Sequence, residues 1–272
     1  MRDLEGPLLL VGCGKMGGAM LAGWLERGLE QSETHVVEPN KAALGALADE
    51  GLHHHADFSS LPARLSPRTV ILAVKPQMMA SALPGCRRFV GPGTLFLSIA
   101  AGKTIAYFER ELGRGPLVRA MPNTPAAIAR GITVAVANPL VSADQRAQAD
   151  QLLKAVGEVA WVEDEALIDP VTAVSGGGPA YVFLLMEYLA EAGAASGLPL
   201  DLARRLARVT VSGAGELARQ SPESVEQLRQ NVTSPGGTTL EALKVLMAED
   251  GLKPLLTKAI AAATRRSREL AN

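Results

Sequence analysis

The sequence predicts an α/β domain over residues 1–163 followed by an all-α domain over residues 164–272. Three observations carry that expectation. Short apolar runs alternate with helical stretches through the first part of the chain, a glycine-rich turn follows the first of those runs directly, and strand signals vanish beyond Glu165.

Residues 8–11, Leu-Leu-Leu-Val, form a continuous apolar run, the pattern of a strand buried on both faces of a parallel sheet. A glycine turn and a helix reaching about Arg27 come next. Residues 35–37, 70–74, 95–99 and 117–121 repeat the apolar pattern, with helical stretches at 41–50 and 104–112 between them. Residues 132–137 and 159–162 are two further strands, and Ser142 opens a helix between them. His53, His54 and His55 read as a polar loop. Neighbours on an extended segment face opposite ways, so these imidazoles do not converge on one ion, and no metal site is expected. In the second domain the helical pattern breaks at Gly197-Leu198-Pro199, at Ser221-Pro222 and at Ser234-Pro235-Gly236-Gly237. Ser221 fits an N-cap with Pro222 at the first helical position, and Asp201 fits an N-cap after Pro199. A new helix is expected over residues 238–246.

A chain of 272 residues with a net charge of -1 and 47% apolar residues can bury a substantial core. Its charges are spread rather than clustered, which argues against nucleic acid or an acidic membrane surface as a partner and points to small molecules. Cys13 and Cys86 belong to no CxxC motif, so neither a redox pair nor a disulfide framework is expected. The N-terminal run shows no cleavage site and no long apolar segment, and a cytoplasmic location follows as an expectation. Residues 179–195 are apolar on nearly every side, which predicts packing against a second copy of the chain.

Two motifs carry chemistry. Gly12-Cys13-Gly14-Lys15-Met16-Gly17 is a GxGxxG between a strand and a helix, the context in which it binds NAD or NADP. Gly12 allows the tight turn, Gly14 lets the backbone approach a pyrophosphate, and Gly17 lets the helix lie against the strand. Glu38 closes the second strand, where an acidic side chain bonds the adenine ribose and repels a 2'-phosphate, unless Lys41 or a backbone loop takes that phosphate. Lys75 and the Asn123-Thr124-Pro125 turn occupy the carboxyl rim of the sheet, and Glu165 stands near the domain boundary. The second motif is Asn231-Val232-Thr233-Ser234-Pro235-Gly236-Gly237-Thr238-Thr239. A prolyl-glycyl-glycyl turn opening a helix presents unpaired N–H groups to a carboxylate or phosphate, with the hydroxyls of Thr238 and Thr239 beside it.

With these residues assembled, the chain resembles the pyrroline-5-carboxylate reductases over essentially its whole length. The resemblance rests on GCGKMG, AVKP at 73–76, SIAAG at 98–102, MPNTP at 121–125, SGGGPAY at 175–181 and NVTSPGGTT. It implies a Rossmann-like N-terminal domain and a helical C-terminal domain that forms an intertwined homodimer, often assembled further into a decamer. It also implies NADPH or NADH as cofactor. Gly12, Gly14, Lys15, Met16 and Gly17 would cradle the pyrophosphate; Ala73, Val74, Lys75, Pro76, Ile99 and Ala101 would line the nicotinamide side; and Asn231 would reach the cofactor. The carboxylate of pyrroline-5-carboxylate or proline would be held around Gly237, Thr238 and Thr239, with Glu165 and Ser175 nearby, and Thr239 would bond the ring nitrogen. The chain departs from the family pattern at Gly177, where serine is common, and at Glu38, where NADPH-preferring members carry a small polar or basic residue.

Two other readings remain at this stage. A β-hydroxyacid dehydrogenase shares the domain plan but needs a base such as lysine on the first helix of the second domain, and residues 175–197 contain no lysine, histidine or asparagine. A non-catalytic NAD(P) sensor would bind the dinucleotide and turn nothing over.

Overall fold

The computed structural model describes residues 6–49 and 51–271. Its first compact unit runs to Gly176 and takes the chain back from Ala263; its second spans Gly177–Ala262.

The first unit is built on an eight-stranded sheet in the order β3-β2-β1-β4-β5-β6-β7-β8. The strands are β1 (Leu8–Val11), β2 (Thr34–Val37), β3 (His53–His55), β4 (Thr69–Leu72), β5 (Leu95–Ser98), β6 (Leu117–Met121), β7 (Gly131–Ala137) and β8 (Gly157–Trp161). All neighbours pair parallel except β6 and β7. In register, Leu10 lies beside Val36 on one side and Ile71 on the other.

The continuous apolar runs are explained by a core on each face. Leu8 and Leu10 point into one cluster, beneath α1 (Lys15–Glu26), and Leu9 and Val11 into the other, beneath α2 (Met79–Cys86) and α3 (Ile105–Leu112). On the first face Trp24 is fully buried, and its indole N–H donates to the carbonyl of Leu152 at 2.8 Å, tying α1 to α4 (Ala143–Lys154). Helix α4 opens as the sequence predicts, with Ser142 and Gln145 forming a reciprocal capping box. The chain reverses its direction of winding between β1 and β4, and the crevice at the carboxyl ends of those strands is where such sheets bind ligands.

The first unit extends past the expected boundary near Glu163 because the next residues stay on the sheet. Ile168 opens the short α5 (Ile168–Val171) and is buried with Val134 and Val136 of β7. The π-helical turn Thr172–Gly176 follows. Ser267 returns at the chain's end, and its hydroxyl donates to Asp169 at 2.6 Å.

The second unit contains α6 (Gly178–Ala195), α7 (Leu200–Gln220), α8 (Val225–Asn231), α9 (Thr238–Leu246) and the first part of α10 (Leu252–Ala271). Helices α6 and α7 meet through Ala190, Ala203 and Ala207, small side chains that bring the two backbones close. Their large apolar side chains point away from that seam: Phe183 is 56% exposed and Tyr188 58%. Such an exposed apolar surface marks an interaction face.

Four local expectations are corrected. Residues 53–55 form an edge strand rather than a loop, since paired backbone accommodates three successive imidazoles on alternating faces. Ser221 ends α7, and Ser224 caps α8 by accepting the N–H of Gln227, so the Ser221-Pro222 signal marks the break and not the helix start. Pro199 occupies the N-cap of α7, leaving Asp201 in the first turn, where its charge still suits the helix dipole. The helix expected over 41–50 is two 3-10 turns within Lys41–Asp49, kinked at Gly45 with φ 53°, and Glu50 lies outside the described residues.

The chain's four histidines all sit at this sheet edge. His55 Nδ1 reaches the carbonyl of Ser60 at 3.1 Å, so it carries the proton; Nε2 of neutral His55 is then the acceptor for His35 Nδ1–H at 3.0 Å. Protonating both rings would set two donors against each other. Burial pushes His35 down to about 4, assisted by His53 and His55, and burial also lowers His55. The unfolded chain therefore takes up protons first as pH falls below the ordinary histidine range. The expected outcome is a melting temperature that declines between pH about 6.5 and about 4, with a shallower decline in His35→Val. Equal slopes in the two proteins would show that the cluster does not set the acid response.

Candidate active site

The glycine turn after β1 opens a cleft of about 520 Å³ at the carboxyl ends of β1, β2 and β4. Its three signature glycines have separate physical reasons. Gly12 has φ +92°, and a Cβ on it would stand 2.8 Å from Val74 Cγ1. A Cβ on Gly17 would run into the carbonyl oxygen of Gly12, so no side chain fits where α1 crosses the strand. At Gly14 the space is open: nothing lies within 4 Å of a built Cβ. Gly14 also caps α1 without any side-chain bond, and the helix has no acidic residue in its first turn. That leaves backbone N–H groups and the positive end of the dipole facing the cleft, which is what a pyrophosphate requires.

Glu38 lines the same cleft at the tip of β2. Its carboxylate accepts the N–H of Cys13 at 2.9 Å and that of Asn40 at 3.1 Å, which fixes it beside the glycine turn. The Cys13 thiol is pushed up to about 11, first by burial and then by the Glu38 charge, and burial alone raises Cys86 to about 12, so both thiols stay protonated and inert at neutral pH. Ala73, Val74 and Lys75 line the cleft too, after β4. Pro76 opens the 3-10 turn that follows. Lys15 is exposed at the start of α1, and Met16 packs partly against the core behind it. Ile99 and Ala101 lie in the turn after β5, where Ile99 N–H donates to Leu72 at 3.1 Å.

Also in the first unit, Asn123 links two of the motifs. Its amide N–H donates to the Ser175 hydroxyl at 3.2 Å, and its carbonyl accepts the N–H of Ile132 at 3.0 Å. Ser175 itself sits in the π-helical turn, a local widening frequent at functional sites. Gly177 caps α6 in ordinary right-handed helical geometry, a conformation serine also adopts, so the departure there is structurally silent. Glu165 is held by Arg119, whose Nη1 lies 2.7 Å from its Oε1. Sequence reasoning passed over Arg119; the signal was a lone cation inside the apolar run Leu-Val-Arg-Ala-Met.

In the second unit, the Ser234-Pro235-Gly236-Gly237 turn closes with Gly237 N–H donating to Ser234 at 3.0 Å, and Gly236 takes φ +70°. Gly237 is the N-cap of α9 and offers no side chain to the helix start. The N–H groups and hydroxyls of Thr238 and Thr239 are exposed and have no hydrogen-bond partner among the described residues. This is a second helix start with free donors, suited to a carboxylate. Asn231 ends α8, held by Gln227 at 2.8 Å and Glu223 at 3.1 Å. Among the described residues no group of three or more metal-binding side chains converges, and no helix is long and apolar enough to cross a membrane.

Two family models match separate stretches of the chain. Residues 165–270 match the family model described as pyrroline-5-carboxylate reductase dimerisation, and residues 8–102 match that described as NADP oxidoreductase, coenzyme F420-dependent. A pyrroline-5-carboxylate reductase of Pseudomonas aeruginosa is 40% identical, over 97% of this chain and 96% of its own. Among solved structures, one from Coxiella burnetii superposes with a TM-score of 0.90 at 36% identity, covering 98% of this chain and 99% of that one. A Plasmodium falciparum pyrroline carboxylate reductase, solved with NADP bound, superposes with a TM-score of 0.82 at 27% identity, over 98% and 99%.

The open space at Gly14 generates a direct test. Gly14→Ala keeps an allowed backbone and meets no neighbour, so the melting temperature of the free protein should stay within about 2 °C of the parent. Dinucleotide affinity should fall at least about tenfold, because the methyl group occupies the approach of the pyrophosphate. Unchanged affinity by fluorescence titration would remove this turn from the cofactor site.

Proposed function

The chain belongs to the pyrroline-5-carboxylate reductase family and reduces 1-pyrroline-5-carboxylate to L-proline with NAD(P)H, the last step of proline biosynthesis; from that premise we propose how its own residues divide the work. The observation that carries the reading is the pair of free backbone donors at the start of α9, behind a turn whose φ at Gly236 favours glycine. They receive the substrate carboxylate at Thr238 and Thr239, beside Gly237, whose own N–H closes the turn on Ser234. The Thr239 hydroxyl bonds the ring nitrogen, and Ser175 stands on the substrate side.

Bound NAD(P)H supplies the hydride that adds to the C=N carbon. The residues of the clamp include no histidine, cysteine or lysine, and the reaction needs none, since a protonated pyrrolinium is already electrophilic. What the protein contributes is orientation: the carboxylate is anchored, the nitrogen is directed, and the carbon is held for attack. The backbone around Gly12, Gly14, Lys15, Met16 and Gly17 holds the pyrophosphate. Residues 73–76 with Ile99 and Ala101 flank the nicotinamide, and Asn231 contacts the cofactor. The helical unit pairs two chains, supported by the apolar flanks of α6 and α7, and dimers assemble further into a decamer. The enzyme works in the cytoplasm, a reading supported by cysteines that form neither a CxxC nor a disulfide pattern.

Two measurements follow. Purified protein oxidises NADH or NADPH only when pyrroline-5-carboxylate is present, and proline accumulates; dinucleotide binding without turnover would favour a sensor. In Thr239→Val, kcat/KM falls about tenfold, the value of one hydrogen bond of about 1.4 kcal/mol, while dinucleotide affinity stays at the parent value. Unchanged kcat/KM would take Thr239 out of the mechanism.

Glu38 also sets a cofactor preference in this reading. A 2'-phosphate would meet a fixed carboxylate that has no cation within ion-pair distance among the described residues. NADH is therefore favoured over NADPH by about tenfold or more in kcat/KM, and Glu38→Ser narrows the gap. A strong NADPH preference in the parent enzyme would contradict the charge argument.

A further inference from the structure

Arg119 lies in the middle of β6 and is only 3% exposed. A buried guanidinium needs an anion, and its partner comes from 46 residues further on: Glu165 Oε1, 2.7 Å from Nη1. Nη2 has no partner among the described residues, so the compensation for this charge rests on Glu165 alone. The same carboxylate oxygen accepts the N–H of Ile105, the first residue of α3, at 2.8 Å. Thr104 caps the helix locally by accepting the N–H of Tyr107 at 3.1 Å. The first turn of α3 is thus held by one acceptor of its own and by one supplied from a distant segment.

The chain just before α3 is the short connection out of β5. Its near end is pinned by Ile99 N–H on Leu72 and by Ala100 N–H on the Ser98 hydroxyl at 3.2 Å. Midway, Gly102 takes φ +68°. Its far end is the start of α3, where Ile105 packs on the core and Thr104 and Glu165 supply the two side-chain acceptors.

We propose that Arg119 and Glu165 are positioning residues for the nicotinamide-side turn Ile99–Ala100–Ala101: the guanidinium orients the carboxylate, the carboxylate fixes the first N–H of α3, and the anchored helix sets the turn. The inference rests on the proposed placement of that turn beside the nicotinamide, and it deepens that reading. It also gives Glu165 a different task from contact with substrate. Both of its hydrogen bonds are to the protein, and they act on the cofactor side.

The test measures NADH affinity by fluorescence titration and steady-state constants for both substrates in Glu165→Ala, Glu165→Gln and Arg119→Lys. Glu165→Ala should weaken NADH binding about tenfold, raise its KM equally, and leave the KM for pyrroline-5-carboxylate within about twofold. Glu165→Gln keeps an acceptor for Ile105 and should recover most of the loss. Arg119→Lys, which keeps the buried charge, should fall between. A raised KM for pyrroline-5-carboxylate with unchanged NADH affinity would overturn the proposal in favour of direct substrate contact. A lowered melting temperature with every kinetic and binding constant unchanged would overturn it in favour of a purely structural pair. Should Glu165→Ala fail to fold, Glu165→Gln and Arg119→Lys still decide, since weakened NADH binding in Arg119→Lys is required. Failure of the parent enzyme to turn over pyrroline-5-carboxylate would strike the functional reading, while the NADH titrations would still report on this one.

Discussion

The structure depends on leaving backbone N–H groups without partners at two helix starts. An unmet donor is normally a cost, tolerated where water or a ligand satisfies it. Here both cases follow a glycine turn, at α1 after Gly12 and at α9 after Gly236, and in both the N-cap residue is a glycine that offers no side chain to compete. Ser142, Thr104 and Ser224 cap other helices of the same chain with their hydroxyls. The starts of α2, α5, α6 and α7 also lack a side-chain cap, and what sets α1 and α9 apart is a glycine N-cap behind a positive-φ glycine, Gly12 or Gly236, in the turn just before each. Each is suited to an anion, one to a pyrophosphate and the other to a carboxylate.

The remainder of the first unit makes the α1 start rigid. Helix α1 is held down by Trp24 and by the close approach of Gly17 to Gly12, so the turn above it has a fixed shape. Glu38 is oriented by two backbone donors and gives the cleft a negative wall beside the turn. In the helical unit the alanine seam of α6 and α7 keeps large apolar side chains for the outside. A dimerisation domain is the family identity of that region, and the exposed Phe183 and Tyr188 give it a physical basis.

Much of this was legible in the sequence because the signals were local and unambiguous. A strand, a GxGxxG and a helix in succession have few other solutions, and the start of α9 at Thr238 followed from the glycine pair alone. The misplaced caps show where local signals compete. Ser221 and Ser224 both precede α8, and the sequence does not say which one the α7 terminus consumes. The His53–His55 strand was missed because its pairing with β2 is non-local: polar residues become a strand when an edge is waiting for them. Arg119 and Glu165 were hard to join for the same reason, being far apart in sequence and brought together only by the fold.

The most direct test of the account is a crystal structure of the enzyme with proline and an oxidised dinucleotide bound. The account predicts proline's carboxylate oxygens beside Gly237 and at hydrogen-bond distance, about 3 Å, from the N–H groups of Thr238 and Thr239 that open α9. A carboxylate held by side-chain cations elsewhere, with those donors facing solvent, would contradict it.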